Sequence, residues 1–487
     1  MRPNFFLMLV IPLTVILGVM VFVFGAGSSS GWNQAIFLQA VCALLLSVSP
    51  LVFRKQNTPL ISVRTGANLM FALTFGIWPL AYMVTPEVSG GYISVWVGDP
   101  EDYFIETLWY ALLGILCFQV GYILPIGQHI ARKIKPPRTS WSRNKIVILS
   151  VLATIASLIS AIAVWVTIGG GAYAGFLFGK AKLALDGYHY LSLGFSLLRI
   201  SILVGWAYSL IRKFPRWIIF AQVVLYTVII IFMGGRSQVI GLWIMLLLMY
   251  LLLSHNSISL RRISNLRIIS TGTLVIVASV ILLIVVRGFR TSYDASDTGL
   301  GLTIFQNVVD ALAVLTTSIL KEFDQLEVFA TIVAITPEKL PFWYGQSYLD
   351  IFSLPIPRSL WADKPVPARL ILGQLMRGID VGIPPTVIGE FYFNFGIFGI
   401  IFGMCLFGIF CKSIDKWAYM YRTNPTVIIV FVFILGNVPI ITTRYFYGWF
   451  GALLIFLAGI WIVSRFIRGP VNRNVRPPSR SRVRQRQ

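Results

Sequence analysis

The sequence predicts an all-α protein that crosses a membrane about 12 times and carries one large loop outside the membrane. Composition is the first observation behind this prediction: 57% of the residues are hydrophobic, only 12% are charged, and the mean hydropathy is +0.81. Soluble domains carry about 25% charged residues. The second observation is a series of long apolar runs, and the third is a polar and aromatic interruption at 287–394.

The apolar runs have the length that crosses the hydrocarbon layer, which is about 20 residues for a helix. Nine of them lie within 1–286 and three within 395–466. The predicted spans are 5–24, 35–53, 67–84, 104–124, 146–168, 191–211, 217–233, 239–253, 268–286, 395–410, 427–441 and 448–466.

The distribution of basic residues predicts the orientation of these spans. Most of the 40 Lys and Arg fall in alternate connections, which the positive-inside rule assigns to the cytoplasm together with both termini. Of the 18 acids only Asp415 falls in such a segment. The net charge of +22 is spread over short loops and a basic tail at 467–487, expected to be disordered. Membrane lipids therefore explain the charge better than nucleic acid.

The interruption at 287–394 is then extracytoplasmic. Its apolar stretches 302–320 and 326–335 predict amphipathic helices at the membrane surface, with an extra helical hairpin as the alternative. Beyond these two stretches, prolines at 355, 357, 365 and 367 exclude a continuous helix. Stiff loops above a helical bundle are therefore expected to form a pocket.

Several basic residues could hold an anionic phosphate group in that pocket. Arg358 and Lys364 are flanked by prolines that would present them rigidly, and Arg236 follows two glycines on a predicted turn. Arg290 and its neighbour Arg287 follow the ninth predicted span, where snorkelling to lipid headgroups explains them equally well. One more candidate, Arg444 in the last outer loop, could close the site from the opposite side, or anchor an aromatic belt.

Glu390 is the first candidate for a catalytic base. It follows Gly389 and precedes Tyr392 at the start of the tenth span, where a carboxylate in apolar, aromatic surroundings can accept a proton. Asp363 and Asp324 are the next candidates. A structural pair between Glu390 and a nearby Arg is an equally good interpretation.

Aromatic residues in the loop could stack on sugar rings. The candidates are Tyr344, Tyr348, Trp361 and Tyr392, which a membrane-interface belt would also explain. Neither a metal nor a cofactor is predicted, because the three histidines do not share one side of the membrane and the four cysteines lie in apolar runs.

Arg199 stands near the middle of the sixth predicted span. A charge at that depth is costly and indicates a functional or paired site. It could reach a lipid headgroup, and the predicted spans offer no carboxylate to pair with it.

The motif order Tyr344-Gly-Gln-Ser-Tyr348, Ile356-Pro-Arg-Ser-Leu-Trp-Ala-Asp-Lys-Pro365 and Gly389-Glu-Phe-Tyr-Phe-Asn-Phe-Gly396 resembles the O-antigen polymerases, also called oligosaccharide repeat-unit polymerases. The likeness extends from Arg287 to Phe410, with Gly234-Gly-Arg-Ser237 similar to a family turn. The main outer loop departs from the related O-antigen ligases, because it contains no histidine of the kind that those enzymes use.

The resemblance implies an inverting glycosyltransferase with a GT-C-like membrane bundle, in a bacterial inner membrane. Its substrate would be an oligosaccharide on undecaprenyl diphosphate, polymerised at the outer face into a surface polysaccharide, with a chain-length regulator and a flippase as partners. The matching positions are Arg236, Arg358 and Glu390.

Two other classes remain open from the sequence. A lipid-linked oligosaccharide flippase should show internal repeats or several intramembrane charges, whereas only Arg199 is apparent. An O-antigen ligase would transfer finished polymer from the carrier lipid rather than extend it.

Overall fold

The computed structural model describes residues 34–52, 61–86, 100–137, 140–169, 193–212, 214–233, 236–254, 320, 323–353, 356, 360–361, 363, 366, 368–377, 383–444 and 446–469. The named elements of these residues are all helices. In chain order they are α1 Gln34–Val52, α2 Val63–Val84, α3 Pro100–Ile123, α4 Ile126–Lys133, α5 Arg143–Gly169, α6 Leu193–Ile211, α7 Arg216–Phe232, α8 Arg236–Ser254, α9 Gln325–Ile335, α10 Gln346–Ser353, α11 Ala368–Arg377, α12 Val387–Met420, α13 Pro425–Gly436, α14 Val438–Thr443 and α15 Phe446–Phe466.

Eight helical segments within the described ranges are long and apolar enough to cross a membrane, with α13 and α14 together forming one of them. They correspond to predicted spans 2 to 6 and 10 to 12, so the fold is that of a multi-span helical membrane protein. Predicted spans 7 and 8 match α7 and α8, which are apolar over a shorter length. Predicted spans 1 and 9 lie outside the described residues, and the total of 12 therefore stays a prediction.

The most extensive helix contact of the described residues joins α3 to α12. Small residues make it close: a Cβ added at Gly121 would stand 2.0 Å from the carbonyl oxygen of Cys405, and one added at Gly408 would stand 2.2 Å from that of Phe118. Helices approach this closely in membranes where glycine leaves the backbones bare. The α3–α12 pair is thus the centre of the bundle, with α1, α4 and α9 packed around it.

A second group of helices is built around α6, which packs along α5, α7 and α8 and meets α13 and α15. An uncharged polar network inside this group joins three helices. Gln222 of α7 donates to the carbonyl oxygen of Ser150 at 2.9 Å and to the hydroxyl of Thr154 at 3.2 Å, both on α5. Its amide also contacts the hydroxyl of Ser201 on α6 at 3.3 Å.

Helix α9 lies inside the bundle. Its apolar side chains are buried on every side, and Glu327 is only 2% exposed. The helix packs on α3 and α12. An amphipathic surface helix buries one stripe only, so the packing of α9 favours the interpretation of 326–335 as part of the helical bundle. The companion stretch 302–320 lies outside the described residues, apart from its last residue.

Helix α12 is two helices joined by a kink. Phe395 and Gly396 have non-helical backbone angles, and the φ of Gly396 is 59°, a value that favours glycine. The first part, Val387 to Asn394, is a short helix that we call the half-helix. The tenth predicted span was placed at 395–410, whereas the helix begins at Val387 and ends at Met420.

Each end of α12 carries a buried carboxylate. The half-helix holds Glu390 and Asn394 at one end, and Asp415 stands near the other. Asp415, 7% exposed, accepts hydrogen bonds from the amide of Val63 at 2.7 Å and from the hydroxyl of Tyr122 at 2.9 Å. That carboxylate thus ties the start of α2 and the end of α3 to α12.

Candidate functional site

The motif around Tyr344 lies against the motif around Glu390, which forms the half-helix. The amide of Trp343 donates to the carbonyl oxygen of Phe393 at 3.1 Å, and the amide of Tyr344 donates to that of Asn394 at 2.9 Å. These bonds satisfy carbonyls that the kink leaves without helical partners. The segment before α10 is therefore fixed on the end of the half-helix.

Asn394 is the side chain that joins the two segments. Its Oδ1 accepts from the amide of Gly345 at 3.0 Å, and its Nδ2 donates to Ser347 Oγ and to the carbonyl oxygen of Glu390, each at 2.8 Å. Asn394 and Ser347 are fully buried. An amide that uses both its oxygen and its nitrogen in this way specifies one arrangement of the loop.

Glu390 is buried, with 1% of its surface exposed. Its Oε2 accepts a hydrogen bond from the backbone amide of Phe446 at 2.6 Å. Phe446 is the first residue of α15, so the carboxylate stands at the N-terminus of that helix, where the helix dipole stabilises a negative charge. The contact also ties the half-helix to the last membrane span.

Arg444 lies close to Glu390 because it is near Phe446 in sequence. It follows α14 and precedes Phe446 by two residues, which is at most about 7 Å of chain. The structure thus places the backbone of Arg444 beside the carboxylate of Glu390. Glu390, Asn394, Ser347, Tyr348 and Phe446 are called the Glu390 cluster below.

Tyr348 is the aromatic member of the cluster whose phenol lies near Glu390. Its ring packs against Phe391 with centroids 6.4 Å apart, and its hydroxyl is buried with no hydrogen-bond partner among the described residues. Burial, followed by the nearby charge of Glu390, raises the pKa of Tyr348 above its ordinary value. The phenol therefore stays neutral and remains a hydrogen-bond donor.

Tyr344 is the exposed aromatic residue of the site. Its side chain is 75% exposed and its backbone has a φ of 45°, in the left-handed region that non-glycine residues seldom adopt. Thr386, at the start of the half-helix, has a φ of 63° while its hydroxyl caps the amide of Gly389 at 3.0 Å. Strained residues of this kind concentrate at functional sites.

Tyr392 faces away from Glu390. Side chains two residues apart on a helix point to nearly opposite sides. Tyr392 is 6% exposed and packs on the rings of Tyr110, Phe329 and Phe342, with centroids 5.1 to 6.1 Å away. Core packing accounts for Tyr392, and sugar stacking by this residue stays a prediction.

The remaining predicted site residues are only partly described. Trp361 is 40% exposed, and within the described ranges no contact joins it to the Glu390 cluster. Arg236 is the first residue of α8, rather than part of the turn that precedes it, and only its backbone is described. Arg290, Arg358 and Lys364 lie outside the described residues.

Glu327 was missed by the sequence analysis, which treated 326–335 as an apolar helix. The structure buries this acid in α9, against α3 and α12. An acid inside an otherwise apolar run was the available signal. Beside the same helix lies a cavity of about 40 Å³ lined by Thr331, Ile335, Lys339, Leu340 and Leu375.

The fold and this site together define a multi-span helical membrane protein with a buried carboxylate and a docked polar loop at one end of its bundle. The family model for the O-antigen polysaccharide polymerase Wzy matches residues 5–469, nearly the whole chain, and the chain belongs to that family. It is therefore an O-antigen repeat-unit polymerase by family. No curated protein and no solved structure matches the chain.

Proposed function

We propose that the chain joins oligosaccharide repeat units carried on undecaprenyl diphosphate, at the extracytoplasmic face of the bacterial inner membrane. Family membership supports polymerisation. The observation that carries the proposal is the Glu390 cluster, where Asn394 fixes the loop segment 343–348 beside a buried carboxylate. The basic distribution that assigns the loop to the outside supports the location.

In this mechanism the hydroxyl of one repeat unit attacks C1 of the sugar that carries the diphosphate. The new glycosidic C–O bond forms as the bond from C1 to the diphosphate oxygen breaks, with inversion at C1. Glu390 accepts the proton of the attacking hydroxyl, with Asp363 or Asp324 as the alternative base. The N-terminus of α15 favours a negative charge at this position, and a carboxylate can accept a proton.

The departing diphosphate carries the developing negative charge. Arginine and lysine side chains stabilise that charge, and Arg358 is the residue that we expect to contribute most. Arg236, Arg290, Lys364 and Arg444 complete the proposed diphosphate site. The path of the chain supports Arg444, since it stands two residues from the amide that binds Glu390.

The sugar-binding residues proposed are Tyr344, Tyr348, Trp361 and Tyr392. The first two are supported by the exposure of Tyr344 and by the hydroxyl of Tyr348, which has no hydrogen-bond partner among the described residues. A chain-length regulator and a flippase are the proposed partners, because a polymerase at the outer face needs substrate delivered from inside and its product length set.

Deletion of the gene tests the function. We expect surface glycans to shrink to single repeat units, and lipid-linked single repeats to accumulate at the outer face. Unchanged long polymer would refute the proposal, and accumulation at the inner face would indicate a flippase. Replacement of Arg358 by Ala in protein that is stably present in the membrane should abolish polymerisation, and retained polymerisation would remove Arg358 from the site.

A further inference from the structure

Arg199 is a charged residue that the proposed site does not use. It is the seventh residue of α6, about 9 Å along the helix from Leu193. Its guanidinium Cζ lies 4.9 Å from the ring centroid of Phe433 on α13. The guanidinium also lies near the hydroxyl of Tyr226 of α7, a residue that is 2% exposed. Arg199 therefore points between three helices.

Among the residues that the structure describes, no counter-ion contacts Arg199. Its Nε is buried and has no hydrogen-bond partner among the described residues. Phe433 and Tyr226 offer a ring face and a hydroxyl oxygen, and the nearby network of Gln222 and Ser201 is uncharged. No salt bridge joins Arg199 to a carboxylate of the described part of the chain.

This arrangement is incomplete in energetic terms. Arginine stays protonated in proteins, and a guanidinium away from water is stabilised by an anion with several oxygen acceptors. A cation–π contact contributes only about 0.5–2 kcal/mol, and a lost hydrogen bond to a buried charged group costs more than a neutral one. A ligand that brings an anion to this point would therefore bind with a large electrostatic advantage.

Helix α7, which carries Tyr226, also offers an apolar surface to a lipid. Helix α7 exposes Trp217, Phe220, Val224 and Val228, a stripe with helical spacing on the surface of the bundle. Tyr226 is on the buried side of the same helix. An acyl or prenyl chain can lie along the stripe while its headgroup turns inward past α7.

We propose that Arg199, with Tyr226, forms an intramembrane site for the phosphate group of a lipid, between α6, α7 and α13. The phosphate comes from the diphosphate of the glycan carrier or from a phospholipid headgroup. The carrier source rests on the proposed function, whereas the phosphate site itself rests on the contacts of Arg199.

Binding to purified protein tests the site. Full-length protein is placed in nanodiscs of phosphatidylcholine and titrated with labelled undecaprenyl diphosphate or, in a second arm, with labelled phosphatidylglycerol. The replacement Arg199→Gln should weaken binding of the true ligand about tenfold, the loss expected when a charged hydrogen bond is removed. Arg199→Lys should weaken it less. Arg465→Gln is the matched control, because that guanidinium lies 3.9 Å over Trp461 but is exposed.

The arm that responds to Arg199→Gln identifies the source of the phosphate. Equal binding of both lipids by wild type and Arg199→Gln would overturn the proposal. If Arg199→Gln does not fold, a photoreactive benzoyl-phenylalanine at position 433 provides a second measurement. It should crosslink to the labelled lipid, and unlabelled lipid of the same kind should compete while neutral polyprenol should not. Absence of that competition would also overturn the proposal.

Polymerisation is measured on the same preparations, so that the two proposals can fail separately. If wild-type protein polymerises lipid-linked repeats and Arg199→Gln binds both lipids normally, only the phosphate site is refuted. If wild type does not polymerise and binding still depends on Arg199, only the proposed function is refuted.

Discussion

The carboxylate of Glu390 accepts a hydrogen bond from the backbone amide of Phe446 at 2.6 Å, across 56 residues of sequence. One contact thus joins the half-helix to the N-terminus of α15. It gives Glu390 two separable roles, since an acceptor at this position anchors two helices and an ionised carboxylate can also accept a proton.

The replacement Glu390→Gln separates these roles. The amide oxygen of Gln can still accept from Phe446, so we expect a stability loss of only about 1 kcal/mol and near-normal amounts of protein in the membrane. Polymerisation should fall at least about 100-fold, because the proton acceptor is lost. Glycan length on gels and polymerisation by purified protein measure the effect.

The control for this prediction is Glu106→Gln. Glu106 is exposed and accepts one hydrogen bond, from Tyr110 at 2.8 Å. Its replacement by Gln makes the same chemical change as Glu390→Gln, but at a position outside the Glu390 cluster. Normal polymerisation by Glu390→Gln would show that the carboxylate is an anchor alone. Glu390→Ala, which removes the anchor as well, should then reduce the amount of folded protein.

Tyr348→Phe should make the protein more stable and less active. The hydroxyl is buried and has no partner among the described residues, so its removal is expected to stabilise the unliganded fold by about 1 kcal/mol or less. If this phenol donates to the substrate, polymerisation should fall about tenfold. Thermal unfolding measures the expected gain in stability, and a polymerisation assay measures the expected loss of activity. Replacement of the exposed Tyr419 by Phe is the control. A parallel loss of stability and activity would contradict this account.

The raised pKa of Tyr348 predicts a pH effect on the same pair of proteins. Its folded pKa lies above the unfolded value of about 10, so the unfolded chain loses its proton first. Titration of Tyr348 therefore leaves stability unchanged below about pH 10 and lowers it progressively above that pH. The wild type should lose stability more steeply than Tyr348→Phe between about pH 10 and 11. Identical slopes in a denaturation series would refute this.

Asn394→Ala should release the segment before α10 from the half-helix. It removes three side-chain hydrogen bonds and leaves the amide of Gly345 without its acceptor, which we expect to cost about 2–3 kcal/mol. Ser347→Ala removes one of these bonds and should cost about 1 kcal/mol. Unfolding temperatures of the purified variants test the ranking. Equal costs would show that Asn394 does not hold the loop through these bonds.

The helices were largely predictable, because an apolar run of membrane length indicates by its composition that it lies in the hydrocarbon layer. The half-helix was not, because Glu390 and Asn394 lower the hydropathy of a segment that is nevertheless buried. Their burial is stabilised by hydrogen bonds to partners far along the chain, which a local average does not detect. The predicted start at Phe395 therefore fell on the kink.

The site was predictable as a set of motifs and not as a set of contacts. The sequence could associate the segment around Tyr344 with the segment around Glu390 through family resemblance. The partner of Glu390 is a backbone amide at Phe446, and every residue except proline has one, so no side-chain pattern identifies it. Tyr392 was grouped with Glu390 by proximity in sequence, although helical geometry sends the two side chains to opposite sides.

The close contact of α3 and α12 predicts an intolerance of added methyl groups. Gly408→Ala would place a Cβ 2.2 Å from the carbonyl oxygen of Phe118, which forces backbone to move. We expect a loss of several kcal/mol or failure to accumulate, since overpacking alone costs about 1–3 kcal/mol. Gly241→Ala is the matched control, because its nearest neighbouring atom is 3.8 Å away. Comparable unfolding temperatures of the two variants would contradict the contact.

Asp415→Asn should weaken the opposite end of α12 without changing the chemistry. The carboxylate accepts from Val63 and Tyr122, and the NH₂ group of Asn would face one of these donors. We expect a cost of about 1–3 kcal/mol, because one buried donor loses its acceptor. Tyr122→Phe removes one of the bonds and should cost about 1 kcal/mol. Glu390 precedes the kink of α12, and the helix after the kink rises about 27 Å from Ile397 to Asp415 at about 1.5 Å per residue. Polymerisation per folded molecule should therefore equal that of wild type, even where heating in detergent unfolds the variant earlier. A drop in specific activity at normal folded protein would show that the two ends of α12 are coupled.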